Sequence, residues 1–203
     1  MKMRLKPREL TLLGLLTAVL LVMSYTPLGY LNIGPLAITL NMIPVAIAAI
    51  ALGPTGGAIT GAVFGLTSFL QCLGIGGTSA MGVILFDISP VLTFIQRFVP
   101  RLLTGLLAGF VYRGVKKLGN HTAACFVTGF SAAFLNTLLF MSSLVCLFGR
   151  TEYLQNLIAG RNILLFICSF VGVNAVFEMS VSTLVTGIVG KALEKARLIE
   201  VSK

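Results

Sequence analysis

Long apolar stretches, fenced by basic residues, constrain this chain more than any other feature. The charges cluster at Lys2, Arg4, Lys6 and Arg8, at Arg113, Lys116 and Lys117, and at Lys191, Lys195, Arg197 and Lys203; between them lie uninterrupted runs of Leu, Ile, Val, Ala and Phe. Only 10% of the 203 residues are charged and 57% are hydrophobic, against roughly 25% charged in an ordinary soluble domain. One bilayer crossing takes about 20 apolar residues, so five or six crossings use nearly the whole chain. Residues 1–203 therefore read as one polytopic, all-α membrane domain. The three clusters hold 11 of the 15 Lys and Arg residues behind a net charge of +9. Each borders an apolar run, which is the positive-inside pattern of an inserted protein and argues against nucleic acid as a partner.

Hydropathy and the Gly/Pro breaks predict a bundle of six transmembrane helices, over residues 10–26, 36–52, 56–73, 91–115, 122–148 and 162–192. An even number of crossings places both termini on the cytoplasmic side with all three basic clusters. Segments 25–37, 74–90 and 149–161 then face outside. The first run resembles a signal peptide, but Ser24-Tyr25-Thr26-Pro27 is a poor cleavage site, so the run is expected to stay as helix one. Segment 74–90 (GIGGTSAMGVILFDISP) is too apolar for a free loop and too short to span. It reads either as a wall over an outward-facing pocket or as an interfacial connector.

Buried ionisable groups carry the functional information, because a charge at bilayer depth costs at least ~2.5 kcal/mol on insertion scales. Arg97 and Arg101 lie one turn apart on one helix face, as do Asn174 and Glu178. With a rise of ~1.5 Å per residue, Arg101, Asn136 and Asn174 fall at one level, roughly 15–18 Å from the outer ends, with Arg97 nearer the mouth and Glu178 a turn deeper. Two readings stay open: a structural bridge between Arg101 and Glu178, or a cavity in which an Arg fork receives a carboxylate. Gly57, Gly61 and Gly65 share a face suited to close helix contact, and Gly14 with Ala18 repeats the small-residue spacing on helix one. Cys72, Cys125, Cys146 and Cys168 lack metal-ligand spacing, and the single histidine, His121, is expected at a helix end. No cofactor, metal site or catalytic constellation is indicated, and the Gly-Lys-Ser/Thr ending of a phosphate-binding loop is missing after Gly53-Pro54-Thr55-Gly56-Gly57.

The motifs ITLNMIP at 38–44, ALGPTGGA at 51–58 and GAVFGLTS at 61–68 resemble the substrate-binding S components of energy-coupling factor (ECF) vitamin transporters. RFVPRLLTGLLAG at 97–109 and NTLLF at 136–140 are most similar to the pantothenate-type member. The resemblance implies a non-enzymatic subunit in a prokaryotic plasma membrane that captures a vitamin from outside. It further implies association with a transmembrane scaffold subunit and two cytoplasmic ATPases. The family's Ala-x-x-x-Ala scaffold motif corresponds to Gly14 and Ala18, so its first alanine is replaced. The family also implies that segments 25–37 and 74–90 cover the site. Arg97 and Arg101 would then take the carboxylate, Asn136 and Asn174 the hydroxyl or amide groups, with Asn41 and Glu178 completing the set. Folate is the nearest alternative ligand, and a stand-alone secondary transporter using Glu178 as its ion site is the alternative from another class.

Overall fold

The computed structural model describes residues 6–32, 37–77, 79–160 and 162–196. The expected helix start at Leu36, the basic residues Lys2, Arg4, Arg197 and Lys203, and the side chain of Cys168 lie outside the described residues. Helix α1 (Pro7–Ser24) opens with proline in its first turn, where the missing N–H costs nothing, and with Glu9 accepting from the Lys6 N–H at 2.8 Å. Its inner stripe, Leu13, Leu16, Leu20 and Ser24, recurs every three or four residues and is buried.

A short antiparallel ribbon follows, β1 (Tyr30–Asn32) paired with β2 (Ala37–Thr39), with Tyr30 opposite Thr39. The predicted helix over 36–52 is therefore corrected: residues 37–39 are strand and helix begins only at Met42. β-Branched Ile38 and Thr39 favour the extended backbone, and pairing with β1 supplies the hydrogen bonds.

Helix α2 (Met42–Leu70) is broken at Gly53, whose φ of 71° and ψ of −163° only glycine adopts without strain. The two arms fold back on each other. A β-carbon on Gly57 would sit 2.9 Å from that of Ala49, whereas eight residues of straight helix would separate them by about 12 Å. Met42 likewise packs with Phe64. A 3₁₀ turn (Gln71–Leu73) ends the second arm.

Segment 74–90 is mostly helical, as α3 (Ala80–Ile88), and α4 (Pro90–Lys116) starts immediately after it. Ser79 and Ser89 cap these helices through Gly82 N–H and Leu92 N–H. Then come α5 (His121–Phe148), α6 (Glu152–Ile158) within the predicted outer loop, and α7 (Ile163–Lys195). Among the described residues five helical stretches are long and apolar enough to cross a membrane, where the sequence suggested six, because the second and third predicted spans form one folded-back element, Met42–Leu73.

Glycine sets the central contacts. A β-carbon on Gly57 would overlap the Gly105 carbonyl, one on Gly61 would overlap the Arg101 carbonyl, and one on Gly65 would reach 2.9 Å from Phe98 Cα. The second arm of α2 therefore runs antiparallel to α4 at backbone contact, with both arginines on the packed helix. Helices α5 and α7 pair similarly, Ser182 Oγ donating to the Gly129 carbonyl at 2.9 Å. At the far end of this pair, buried His121 meets Tyr112 Oη at 2.8 Å and Glu194 at 2.9 Å. Large apolar side chains such as Leu15, Val22, Phe110, Val176 and Ile188 point outward and are exposed, the surface of a protein solvated by lipid.

Candidate functional site

Helix α4 presents its polar face, Thr93, Arg97, Arg101 and Thr104, to the bundle interior, all buried. The spacing of four keeps Thr93, Arg97 and Arg101 on one stripe. Arg101 lies in an aromatic slot, its Cζ 4.6 Å from the Phe64 ring centre and 5.1 Å from that of Phe140, and Nη1 donates to the Arg97 carbonyl at 2.8 Å. Arg97 stands over the same Phe140 ring at 5.3 Å, and its Nη2 donates to Ser79 Oγ at 3.2 Å. The two guanidiniums thus converge on α5 one turn above Asn136, as their periodicity predicts.

Glu178 is used differently from its sequence assignment. Its carboxylate accepts the Thr39 N–H at 2.6 Å, tying the β ribbon to α7. Arg101 lies within its electrostatic reach, but no ion pair joins either arginine to an acid among the described residues. The structural bridge between Arg101 and Glu178 that the sequence left open is therefore not made. Asn174, one turn before Glu178, is buried and has an interaction partner.

The remaining polar atoms of this interior are conspicuous for what they do not contact. Both side-chain atoms of Gln96, Asn136 Oδ1, Thr93 Oγ1, Thr39 Oγ1, and Nε of both arginines are buried without a hydrogen-bond partner among the described residues, while Tyr30 Oη lies beside the Asn41 and Ser68 side chains. Native interiors leave few such atoms, and each costs about 1–3 kcal/mol unless something answers it. Several threonines of the helix packing show the contrast, Thr186 excepted: Thr60, Thr67, Thr104 and Thr128 each bond a carbonyl three or four residues back. Thr93 does not. Tyr30 is half-buried as a residue, yet its hydroxyl is enclosed.

The structure thus brings Arg97 and Arg101 together over Phe140, one turn along α5 from Asn136, with Glu178 bonded to the ribbon and Asn41 at the start of α2 beside Tyr30. It adds Tyr30, Thr39, Ser79, Thr93 and Gln96, which sequence reasoning missed. Thr93 was accessible from the same period-four stripe as the arginines. Tyr30 and Thr39 arrive through a ribbon that no local pattern announces. Gly14 and Ala18 take no part: both are exposed on the outer face of α1, and nothing lies within 4 Å of where a Gly14 β-carbon would be. A separate groove of about 220 Å³, lined by Ile95, Val99, Leu103 and Leu139 among others, is apolar and lies away from the arginines.

The fold and this interior define a polytopic helical membrane bundle with a buried polar face. The family description "ECF transporter, substrate-specific component" matches residues 8–190, and the chain belongs to that family. Two similar proteins carry more particular names. The chain is 28% identical to the pantothenic acid transporter PanT of Lactococcus lactis subsp. cremoris, over 95% of this chain and 96% of the relative. It is 29% identical to the pantothenate transporter PanT of Leuconostoc mesenteroides subsp. mesenteroides, over 93% of each.

Proposed function

We propose that this chain captures pantothenate from outside a prokaryotic plasma membrane and delivers it through an ECF scaffold subunit driven by two ATPases. The observation that carries the reading is the pair of buried guanidiniums without a carboxylate partner, set among neutral donors and acceptors that also lack partners. Pantothenate has one carboxylate, one amide and two hydroxyls. The carboxylate answers the arginine fork, while Asn136, Asn41, Tyr30 and Asn174 would serve the neutral groups. The names of both relatives point the same way.

In this reading the two arms of α2 count as two passes, giving six in all and both termini in the cytoplasm. The first arm is too short to cross alone: 11 residues from Met42 to Leu52 rise only about 16 Å. The β ribbon continues it toward the outside, and strand backbone at such depth is tolerated only where its polar groups are satisfied. Glu178 does that for Thr39. The exposed Gly14 and Ala18 supply a flat small-residue face for the scaffold. Calorimetric titration of the purified chain with pantothenate and with folate tests the ligand. Saturable binding of pantothenate alone supports the reading, and binding of folate alone replaces it. Uptake into liposomes that requires the scaffold and ATPases tests the partners, and uptake by the chain alone under a pH gradient would contradict them.

A further inference from the structure

The first turn of α3 stands against Arg97 in a way that ordinary packing does not require. Ser79, the residue capping α3, accepts from Gly82 N–H at 3.2 Å and from Arg97 Nη2 at 3.2 Å. Gly82 makes the approach possible: a β-carbon there would lie 3.0 Å from Arg97 Nη2 and 2.6 Å from Cys72 Sγ. A helix N-terminus carries roughly half a positive charge and N–H groups with no partner inside the helix. A guanidinium pressed against it is a like-charge contact, and Arg101 adds a second cation one turn along α4. Among the described residues no acid forms an ion pair with either arginine, although Glu178 reaches Arg101 through its field. Glu178 is held by Thr39, and Asp87 is exposed at the opposite end of α3. Arg97 is 6% exposed, is aimed at this turn, and has an unpartnered Nε.

We propose that residues 79–82 form a third wall of the carboxylate subsite, so that the first turn of α3, with Ser79 as its contact residue, selects acids over their neutral analogues. This rests on the pantothenate reading above. A carboxylate lying between Arg97 and the α3 N-terminus turns three mutually repelling positive groups into an attractive set. It takes the free edge of the guanidinium and the first-turn N–H groups other than that of Gly82, which Ser79 caps, and Ser79 keeps a hydroxyl proton to donate. A neutral alcohol in the same place relieves none of the repulsion. Ser79 is therefore a specificity-determining residue, distinct from the amides and phenol that serve the rest of the ligand.

The test uses the full chain in detergent, titrated with pantothenate and with pantothenyl alcohol. Ser79→Ala is expected to weaken acid binding about ten-fold, the scale of one charge-assisted hydrogen bond, and alcohol binding less than about three-fold. Ser79→Thr, which keeps the hydroxyl, should restore most of the acid affinity. Equal losses for acid and alcohol, or an unchanged acid affinity, overturn the proposal. If the unaltered chain does not bind pantothenate, the vitamin reading fails separately. The subsite is then read from thermal shifts with N-acetyl-β-alanine and its primary amide. Acid-specific stabilisation that Ser79→Ala abolishes supports it, and equal shifts for acid and amide overturn it.

Discussion

Removing the Glu178 carboxylate should release the β ribbon. In the native chain Glu178 accepts the Thr39 N–H at 2.6 Å, across 139 residues of sequence, and is 7% exposed. Glu178→Ala leaves that N–H buried without an acceptor and leaves Arg101 without its nearest negative charge. A hydrogen bond to a charged group contributes about 1.5–3 kcal/mol, which corresponds to a ten- to roughly hundred-fold change in an opening equilibrium. Glu178→Gln keeps an acceptor oxygen but not the charge, so it should lose about half of that free energy. Hydrogen–deuterium exchange of the ribbon amides is the assay, with Thr39 as the reporter. Exchange should accelerate in the order wild type, Gln, Ala. The glutamine variant should also bind pantothenate at least as well as wild type, because the site loses a charge that repels the carboxylate. Unchanged Thr39 exchange in Glu178→Ala would refute the latch. A glutamine variant with normal exchange but lost affinity would return Glu178 to the ligand-contacting role first read from sequence.

Gly57→Leu should lower the melting temperature and the yield of folded protein, since its side chain would meet the Gly105 carbonyl at the α2–α4 contact; overpacking of this kind costs about 1–3 kcal/mol, and an unchanged melting temperature would mean the helices part freely. Gly14→Leu and Ala18→Leu point into open space and should leave both stability and vitamin binding intact while ATP-driven uptake falls. Loss of binding in the isolated variants would instead place these residues inside the fold.

The parts of the fold that could be read from sequence are those with a local chemical cause. The ends of α4 and α5 are marked by Ser89-Pro90 and by Asn120, whose side chain accepts from Ala123 N–H, and both helices begin within one residue of their expected starts. The α2 hairpin was legible at its turn: Gly53-Pro54 demanded a break, and the positive φ of Gly53 folds one arm back on the other. Helices α3 and α6 were hidden because nine and seven residues give too few turns for periodicity, although their caps, Ser79 and Thr151, were present. Of the polar interior, Arg97, Arg101 and Asn136 were legible because a charge or amide in an apolar helix is expensive and therefore informative. Tyr30 and Thr39 were not, because they reach the site through the register of the ribbon and a hydrogen bond to Glu178 from the far end of the chain. Glu178 itself was legible as a buried acid. Its position showed that it was buried, whereas its role depended on a strand that only the fold brings near.

The central claim is that a buried guanidinium on α4 receives the carboxylate of the ligand. The most direct test is the affinity of Arg97→Ala for pantothenate beside its affinity for pantothenyl alcohol, both by calorimetry on purified protein. A lost charge-assisted hydrogen bond of about 1.5–3 kcal/mol predicts acid binding weakened ten- to roughly hundred-fold, while the alcohol changes little. Arg97→Lys should recover only part of the difference, having charge without the fork. An Arg97→Ala variant that loses acid and alcohol equally would contradict the account.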